Sequence, residues 1–166
     1  MSTPETEFRE ILGLLSEAKI DFILVGGLAA MAHGSAVATL DVDVVYSRTP
    51  ENIAKLVKAL EPVSPYLRGA PPGLPFSFDE QTVRMGLNFT LTTQLGDVDF
   101  LGEIAGGGTF ENLLAETEQR TLFDVPMRCV TLAKLIKLKQ AAGRPKDLSA
   151  LAELQALLEE RNKLSE

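Results

Sequence analysis

Two aspartates inside an otherwise apolar strand constrain this 166-residue chain more than any other feature. Asp41 and Asp43 lie in the stretch LDVDVVY (40–46), which is typical of a buried β-strand. Alternate side chains of a strand share a face, so the two carboxylates point the same way with α-carbons about 7 Å apart. Val42 and Val44 then point into the core. Unpaired buried carboxylates repel one another, so the fold must supply a compensating partner.

A second pair of aspartates follows on a later strand. In DVDFLGEI (97–104), Asp97 and Asp99 flank Val98. If the two strands are neighbours, three or four carboxylates converge. A hard cation such as Mg²⁺ (or Mn²⁺) removes the cost of that convergence, and three carboxylates can clamp two such ions. For Asp97, next to Gly96, a role as a turn residue is the favoured alternative, and an isolated D-x-D motif is common by chance.

The composition narrows the possible chemistry. With one histidine and one cysteine, a zinc site of nitrogen and sulfur ligands is excluded, as is an internal disulfide. A net charge of −7 disfavours broad nucleic-acid binding. The acidic N-terminus and the absence of a long apolar run predict a cytoplasmic protein without a membrane partner. His33 is expected to pack or to end a helix, because no G-x-S-x-G elbow accompanies it.

The apolar periodicity predicts an α/β (α+β) fold, with a mixed β-sheet flanked by helices and a C-terminal helical subdomain. Residues 1–130 are expected to form the core and residues 131–166 a helical segment packed on it, within one compact domain. The proline-rich segment 61–75 predicts a long surface loop. The expected helices begin at Pro4, 28, 50, 110, 132 and 145, and the expected strands are 21–25, 40–46, 83–93, 97–104 and a strand pair or kinked strand in 121–131.

A glycine pair follows the first predicted strand. Gly26 and Gly27 indicate a tight strand-to-helix turn with a positive φ angle. The same residues would let the backbone approach a phosphate group closely. Ser35 is either a hydrogen-bond donor to that phosphate or an ordinary loop residue.

The stretch FILVGGLAAMAHGSAVATLDVDVVY resembles the opening of the nucleotidyltransferase superfamily with a DNA polymerase β-like fold. The chain is most similar to small bacterial proteins of the AbiEii type and to minimal nucleotidyltransferases. Their pattern is a glycine pair, roughly a dozen residues, D-x-D, and a third aspartate on a later strand. Gly26 and Gly27 match the first element, Asp41 and Asp43 the second, and Asp99 the third.

A further element of the AbiEii-like group is a lysine followed by R-x-K-D. Lys139, Arg144, Lys146 and Asp147 occupy its positions in LIKLKQAAGRPKDLSAL. Alternatively, Lys139 is a solvated lysine of an amphipathic helix and Asp147 caps the last helix.

The resemblance implies a Mg²⁺-dependent (or Mn²⁺-dependent) transfer of an NMP from an NTP. Asp41 and Asp43 would hold a metal on the β- and γ-phosphates, and Asp99 would join them at a second metal and help to activate the acceptor hydroxyl. The implied acceptor is a protein, an RNA end or a small molecule, and the implied context includes a toxin–antitoxin pair, with a homodimer or a cognate partner protein. The implied nucleotide-binding residues are Gly26, Gly27, Ser35, Lys139 and Asp147.

Two alternatives remain open. Val37 stands where many such proteins carry an arginine, which motivates a catalytically degenerate protein that binds a nucleotide or a partner. A D-x-D glycosyltransferase is a weaker alternative, because the chain is short for that class and the glycine pair has no role there.

Overall fold

A computed structural model describes residues 3–36, 39 and 41–165. Val37 lies outside these residues. The strands are β1 (Phe22–Val25), β2 (Val42–Tyr46), β3 (Tyr66–Leu67), β4 (Phe89–Thr93), β5 (Gly96–Leu101), β6 (Thr117–Leu122) and β7 (Val125–Val130). The helices are α1 (Pro4–Glu17), α2 (Gly26–Ala32), α3 (Pro50–Leu60), α4 (Glu80–Met85), α5 (Phe110–Leu113), α6 (Leu132–Ala142) and α7 (Pro145–Leu164).

The strands form one mixed sheet in the order β3-β4-β5-β2-β1-β7-β6. β2 runs parallel to β5 and β1 runs parallel to β7, whereas the other neighbouring pairs are antiparallel. Every residue of β1 is buried, as its unbroken apolar run predicts for a central strand. The predicted α/β class, with a mixed sheet and a helical C-terminal part, is confirmed.

Helices complete the core around this sheet. α1 begins at Pro4 as predicted and buries Ile11, Leu12 and Leu15. α6 packs against α2 and α7, so the C-terminal helices lie near the glycine pair. Within the described ranges, no helix combines the length and the apolarity needed to cross a membrane.

The prediction of a loop over 61–75 is wrong in part. A 3₁₀ turn spans Glu61–Val63, and Tyr66 and Leu67 form β3 by pairing with Thr92 and Leu91. β3 lies at the edge of the sheet, where a strand tolerates neighbouring prolines because one side needs no hydrogen-bond donors. The prolines therefore shorten the strand without abolishing it.

Two other predicted elements differ from the structure. The expected strand 83–93 is helix α4 followed by β4, because the Asp79 side chain caps α4 by accepting from the Thr82 amide. The expected helix from 110 ends at Leu113, followed by a 3₁₀ turn, because β6 begins at Thr117 and pairs along its length with β7. Of the two alternatives for 121–131, the strand pair is confirmed: the segment contains the end of β6, the turn and β7, although β6 already begins at Thr117.

A buried asparagine braces the ends of β1 and β2 that lie away from the glycine pair. Asn52 of α3 is 2% exposed. Its Oδ1 accepts from the Asp21 amide at 2.7 Å, and its Nδ2 donates to the Asp21 carbonyl at 3.1 Å and to the Ser47 carbonyl at 2.7 Å. One side chain thus satisfies three backbone groups just outside the two central strands.

Asn52→Ala is expected to lower the free energy of unfolding by about 2–3 kcal/mol, because it leaves buried backbone groups without partners. Urea denaturation monitored by circular dichroism measures the change. Asn162→Ala, at an exposed position of α7, is the matched control and should shift it by less than about 0.5 kcal/mol. Equal effects of the two substitutions would contradict the bracing role of Asn52.

Candidate functional site

The parallel pairing of β2 and β5 brings the predicted carboxylates together. Asp43 lies directly opposite Asp99 in the register of the two strands, and Asp41 immediately precedes β2. Val42 and Val98, which point to the other face, are 1% and 0% exposed. Asp41, Asp43 and Asp99 line one cavity. The expected neighbouring of the two strands is therefore observed.

Burial and the neighbouring carboxylates change the protonation of Asp43. The pKa of Asp43 is raised to about 7, first by burial and then by the charge of Asp99 and a hydrogen bond with it. The charge of Asp41 raises the pKa further, whereas Lys146 acts in the opposite direction. The cluster therefore favours an additional positive charge, either a proton or a cation.

An arginine that the sequence motifs did not indicate contacts the same carboxylates. Arg68, directly after β3, places its Nη2 at 2.8 Å from Asp99 Oδ1 and its Nε at 3.3 Å from Asp97 Oδ2. Its Nη1 is 3.9 Å from Asp41 Oδ2. Arg68 is the one charged residue of the stretch 62–78, and that isolation was the available sequence signal.

Asp97 differs from the favoured prediction. It is the second residue of β5 rather than a residue of the preceding turn, and it shares a side of the strand with Asp99.

Within the described part of the chain, no group of three or more His, Cys, Asp or Glu side chains is arranged to hold a metal ion. The cation that contacts Asp41, Asp97 and Asp99 is Arg68.

The glycine pair packs against this cluster. Gly26 has a φ of +68°, and a Cβ atom there would overlap the Asp43 carboxylate. A Cβ atom on Gly27 would lie 2.5 Å from the side chain of Thr39. α2 begins at Gly26 itself, two residues earlier than predicted. The predicted turn with positive φ is confirmed, and it brings the backbone against the carboxylates.

Three basic residues line the same cavity and are called the basic wall: Lys139 of α6, Arg144 directly before α7, and Lys146 of α7. Asp147, only 2% exposed, accepts from Arg144 Nε at 2.6 Å and lies 3.6 Å from Lys139 Nζ. Burial by itself raises the pKa of Asp147, but Arg144 and then Lys139 more than offset this and hold the pKa below its usual value. Asp147 thus fixes the positions of two cations, which is a larger role than capping a helix.

Two adjoining cavities, of about 230 and 260 Å³, share this site. Together they are lined by every residue that the sequence singled out as catalytic, metal-binding or nucleotide-binding. The first continues along an apolar wall, and the second reaches α2 and α7. The shared lining residues are Gly26, Asp41, Asp43, Lys139, Arg144, Lys146 and Asp147; the first adds Asp99, Leu101, Ile104, Leu135 and Leu138, and the second adds Gly27, Ser35, Thr39 and Glu153.

Ser35 and His33 have different surroundings. Ser35 Oγ donates to Glu153 Oε1 of α7 at 2.5 Å, so it connects its loop to the last helix.

His33 is 4% exposed; its Nε2 lies 2.7 Å from the Val130 carbonyl and its Nδ1 lies 3.1 Å from Arg161 Nη1. Burial lowers the pKa of His33, and a neutral ring with the proton on Nε2 satisfies both contacts. The predicted packing role of His33 is confirmed.

Solved structures resemble this chain, and one of them matches most of its length. It is the crystal structure of the lincosamide antibiotic adenylyltransferase LnuA with lincomycin bound, with a TM-score of 0.61 and 16% sequence identity. The match covers 92% of this chain and 97% of LnuA. No protein-family model matches the chain, and no curated protein matches it in sequence. The chain therefore has a nucleotidyltransferase-like fold.

Gly26→Ala is expected to lower the free energy of unfolding by about 1–3 kcal/mol, because alanine disfavours positive φ and its Cβ overlaps Asp43. Gly13→Ala is the matched control: Gly13 lies inside α1 and a Cβ there meets nothing within 4 Å. That substitution should raise the free energy of unfolding by about 0.5–1 kcal/mol. Chemical denaturation of both variants measures the two shifts, and the same sign for both would contradict the close approach at Gly26.

Proposed function

We propose that the chain is a Mg²⁺-dependent nucleotidyltransferase that transfers an NMP from an NTP to an acceptor hydroxyl. The observation that carries this proposal is the placement of Asp43 opposite Asp99, beside Asp41, in a cavity shared with the glycine pair. The similarity of the fold to an adenylyltransferase supports it.

The chemistry of the donor oxygens, rather than their present arrangement around Arg68, suits a hard divalent cation. Asp41, Asp43 and Asp99 offer only carboxylate oxygens, which are the ligands that Mg²⁺ and Mn²⁺ prefer. The pKa of Asp43 is raised first by burial and then by the negative charges of Asp99 and Asp41, and a bound cation would offset those charges. When bound, such an ion supplies Lewis-acid stabilisation of charge on the phosphate oxygens. Arg68 is the competing cation at Asp99.

The basic wall is suited to bind a triphosphate. Lys139, Arg144 and Lys146 line both cavities, and Asp147, which pairs with the first two, offsets one of their three positive charges. These residues provide positive charge that the sequence before Asp41 lacks, since Val37 stands where many proteins of the resembled superfamily carry an arginine. Gly26 and Gly27 line the cavities beside Asp43 and Thr39, where a bound phosphate would approach the backbone of the glycine pair.

The acceptor is proposed to enter beside Asp99. Leu101 follows Asp99 on the same side of β5, and Ile104 and Leu138 continue that wall of the cavity. Asp99 would accept a hydrogen bond from the acceptor hydroxyl and orient it, as a general base does. The apolar side chains on this wall favour a small molecule or a protein side chain over an extended RNA, and the net charge of −7 favours the same choice.

The resemblance to AbiEii-type proteins extends the proposal to a toxin of a toxin–antitoxin pair. In that setting the chain would act in the cytoplasm, and a cognate partner protein or a second copy would bind it. The single buried thiol, Cys129, is compatible with a reducing compartment.

Asp43→Asn is expected to reduce transfer of label from α-labelled NTP with Mg²⁺ or Mn²⁺ by about a hundred-fold or more, the scale of losing a preorganised electrostatic group. The assay uses all four NTPs, with and without cell extract as a source of acceptor. The control is Asp124→Asn in the β6–β7 turn, where the side chain is 93% exposed and φ is +66°, which asparagine tolerates. Equal transfer by the two variants would contradict the assigned role.

The alternative function is a binding protein without catalysis. The contact of Arg68 with Asp99 favours it, because that carboxylate already has a cationic partner. This alternative requires NTP binding by the wild-type chain with no label transferred to any acceptor, in the same assay.

Lys146→Gln is expected to weaken NTP binding about five-fold, because an exposed charge contact contributes up to roughly 1 kcal/mol. Lys146 is exposed in the first turn of α7 and lines both cavities. Lys163→Gln, exposed in the last turn of the same helix, is the matched control and should leave binding unchanged. Calorimetric titration with NTP measures both affinities. An unchanged affinity in Lys146→Gln would contradict the proposed contact of Lys146 with the phosphates.

A further inference from the structure

Arg68 contacts three of the four aspartates that β2 and β5 bring to the site. Its guanidinium lies 2.8 Å from Asp99, 3.3 Å from Asp97 and 3.9 Å from Asp41. Nη2 also donates to the Leu91 carbonyl of β4 at 2.9 Å. The guanidinium therefore lies across β4 and β5, on carboxylate oxygens that a divalent cation would need.

These contacts are incompatible with a metal ion bound directly to the same oxygens. A divalent cation on Asp99 Oδ1 would lie next to the Arg68 guanidinium, and the two positive charges would repel each other. Asp99 therefore has two alternative partners, Arg68 or the ion. The ion binds Asp99 more weakly as long as Arg68 keeps its contact with that carboxylate.

Arg68 does not form all the hydrogen bonds that its guanidinium can donate. Its Nε is buried and, among the described residues, has no hydrogen-bond partner, although Asp97 Oδ2 is 3.3 Å away. The residue also lies just beyond β3, a two-residue strand at the sheet edge, and precedes Gly69 with a φ of +79°. The side chain is thus bound mainly through the carboxylates, rather than through a complete set of hydrogen bonds.

We propose that Arg68 is a built-in counter-ion that competes with the divalent cation for Asp99 and its neighbours, and so sets how much metal the site requires. Arg68 acts through the carboxylates and is therefore a positioning residue. The inference rests on the metal site of the proposed function. It adds a residue outside the motif and gives that residue a role opposed to metal binding.

Titration of the full chain with Mn²⁺ alone, by calorimetry and by the electron paramagnetic resonance signal of free Mn²⁺, tests this competition. Arg68→Gln is expected to bind Mn²⁺ about ten-fold more tightly than the wild type, because the competing charge is gone. Its unfolding temperature should be lower than that of the wild type in EDTA and should rise more when Mn²⁺ is added. Unchanged or weaker Mn²⁺ binding would overturn the inference.

Two further variants complete the experiment. Arg48→Gln is the matched control, because Arg48 donates to the backbone carbonyls of Val83 and Arg84 and lies outside the carboxylate cluster. Its Mn²⁺ affinity should equal that of the wild type. Arg68→Lys retains the charge and is the variant to use if Arg68→Gln does not fold. It should bind Mn²⁺ more tightly than the wild type but less tightly than Arg68→Gln, because an ammonium lacks the guanidinium fork.

Failure of this inference and failure of the proposed function give different results. If the wild type binds Mn²⁺ and Arg68→Gln binds it no better, the competition is refuted while the metal site stands. If no variant binds Mn²⁺, the competition is also refuted, and the NTP transfer assay then decides the proposed function on its own.

Discussion

Two carboxylates lie directly opposite each other where β2 runs parallel to β5, and the rest of the site depends on that pairing. Asp43 and Asp99 are like charges in register, which by themselves destabilise a strand pair. The register is fixed by the other face of the sheet, where Val42, Val44 and Val98 are buried. If the register slipped by one residue, aspartates would point into the core in place of valines. Burial of the valines therefore keeps the aspartates close together at the site.

The surrounding elements compensate that crowding from two sides. Arg68 approaches from the edge strand β3 and contacts Asp99, whereas Lys146 at the start of α7 acts on Asp43 through its charge. Buried Asp147 holds Arg144 at 2.6 Å and thereby fixes the basic wall. The compensation is incomplete, since the pKa of Asp43 stays near 7. A cation bound beside Asp43 would offset that residual negative charge.

The features predicted from the sequence are those encoded by local spacing. Period-two alternation identified the shared face of Asp41 and Asp43, and the glycine pair identified the turn with positive φ at Gly26. The contact of Arg68 with Asp99 was not predictable in this way, because it joins residues 31 positions apart through the pairing of β3 with β4. The prolines of 61–75 indicated a loop, and local signals do not report that an edge strand tolerates them.

The most direct test of the metal-dependent site is a crystal structure of the chain with Mn²⁺ and a non-hydrolysable NTP analogue, with Mn²⁺ located by anomalous scattering. The proposed function predicts Mn²⁺ bonded to carboxylate oxygens of Asp41 and Asp43, with the triphosphate between the ion and the basic wall of Lys139, Arg144 and Lys146. A nucleotide bound away from these aspartates, or Mn²⁺ bound elsewhere with Asp41 and Asp43 free of metal, would contradict it.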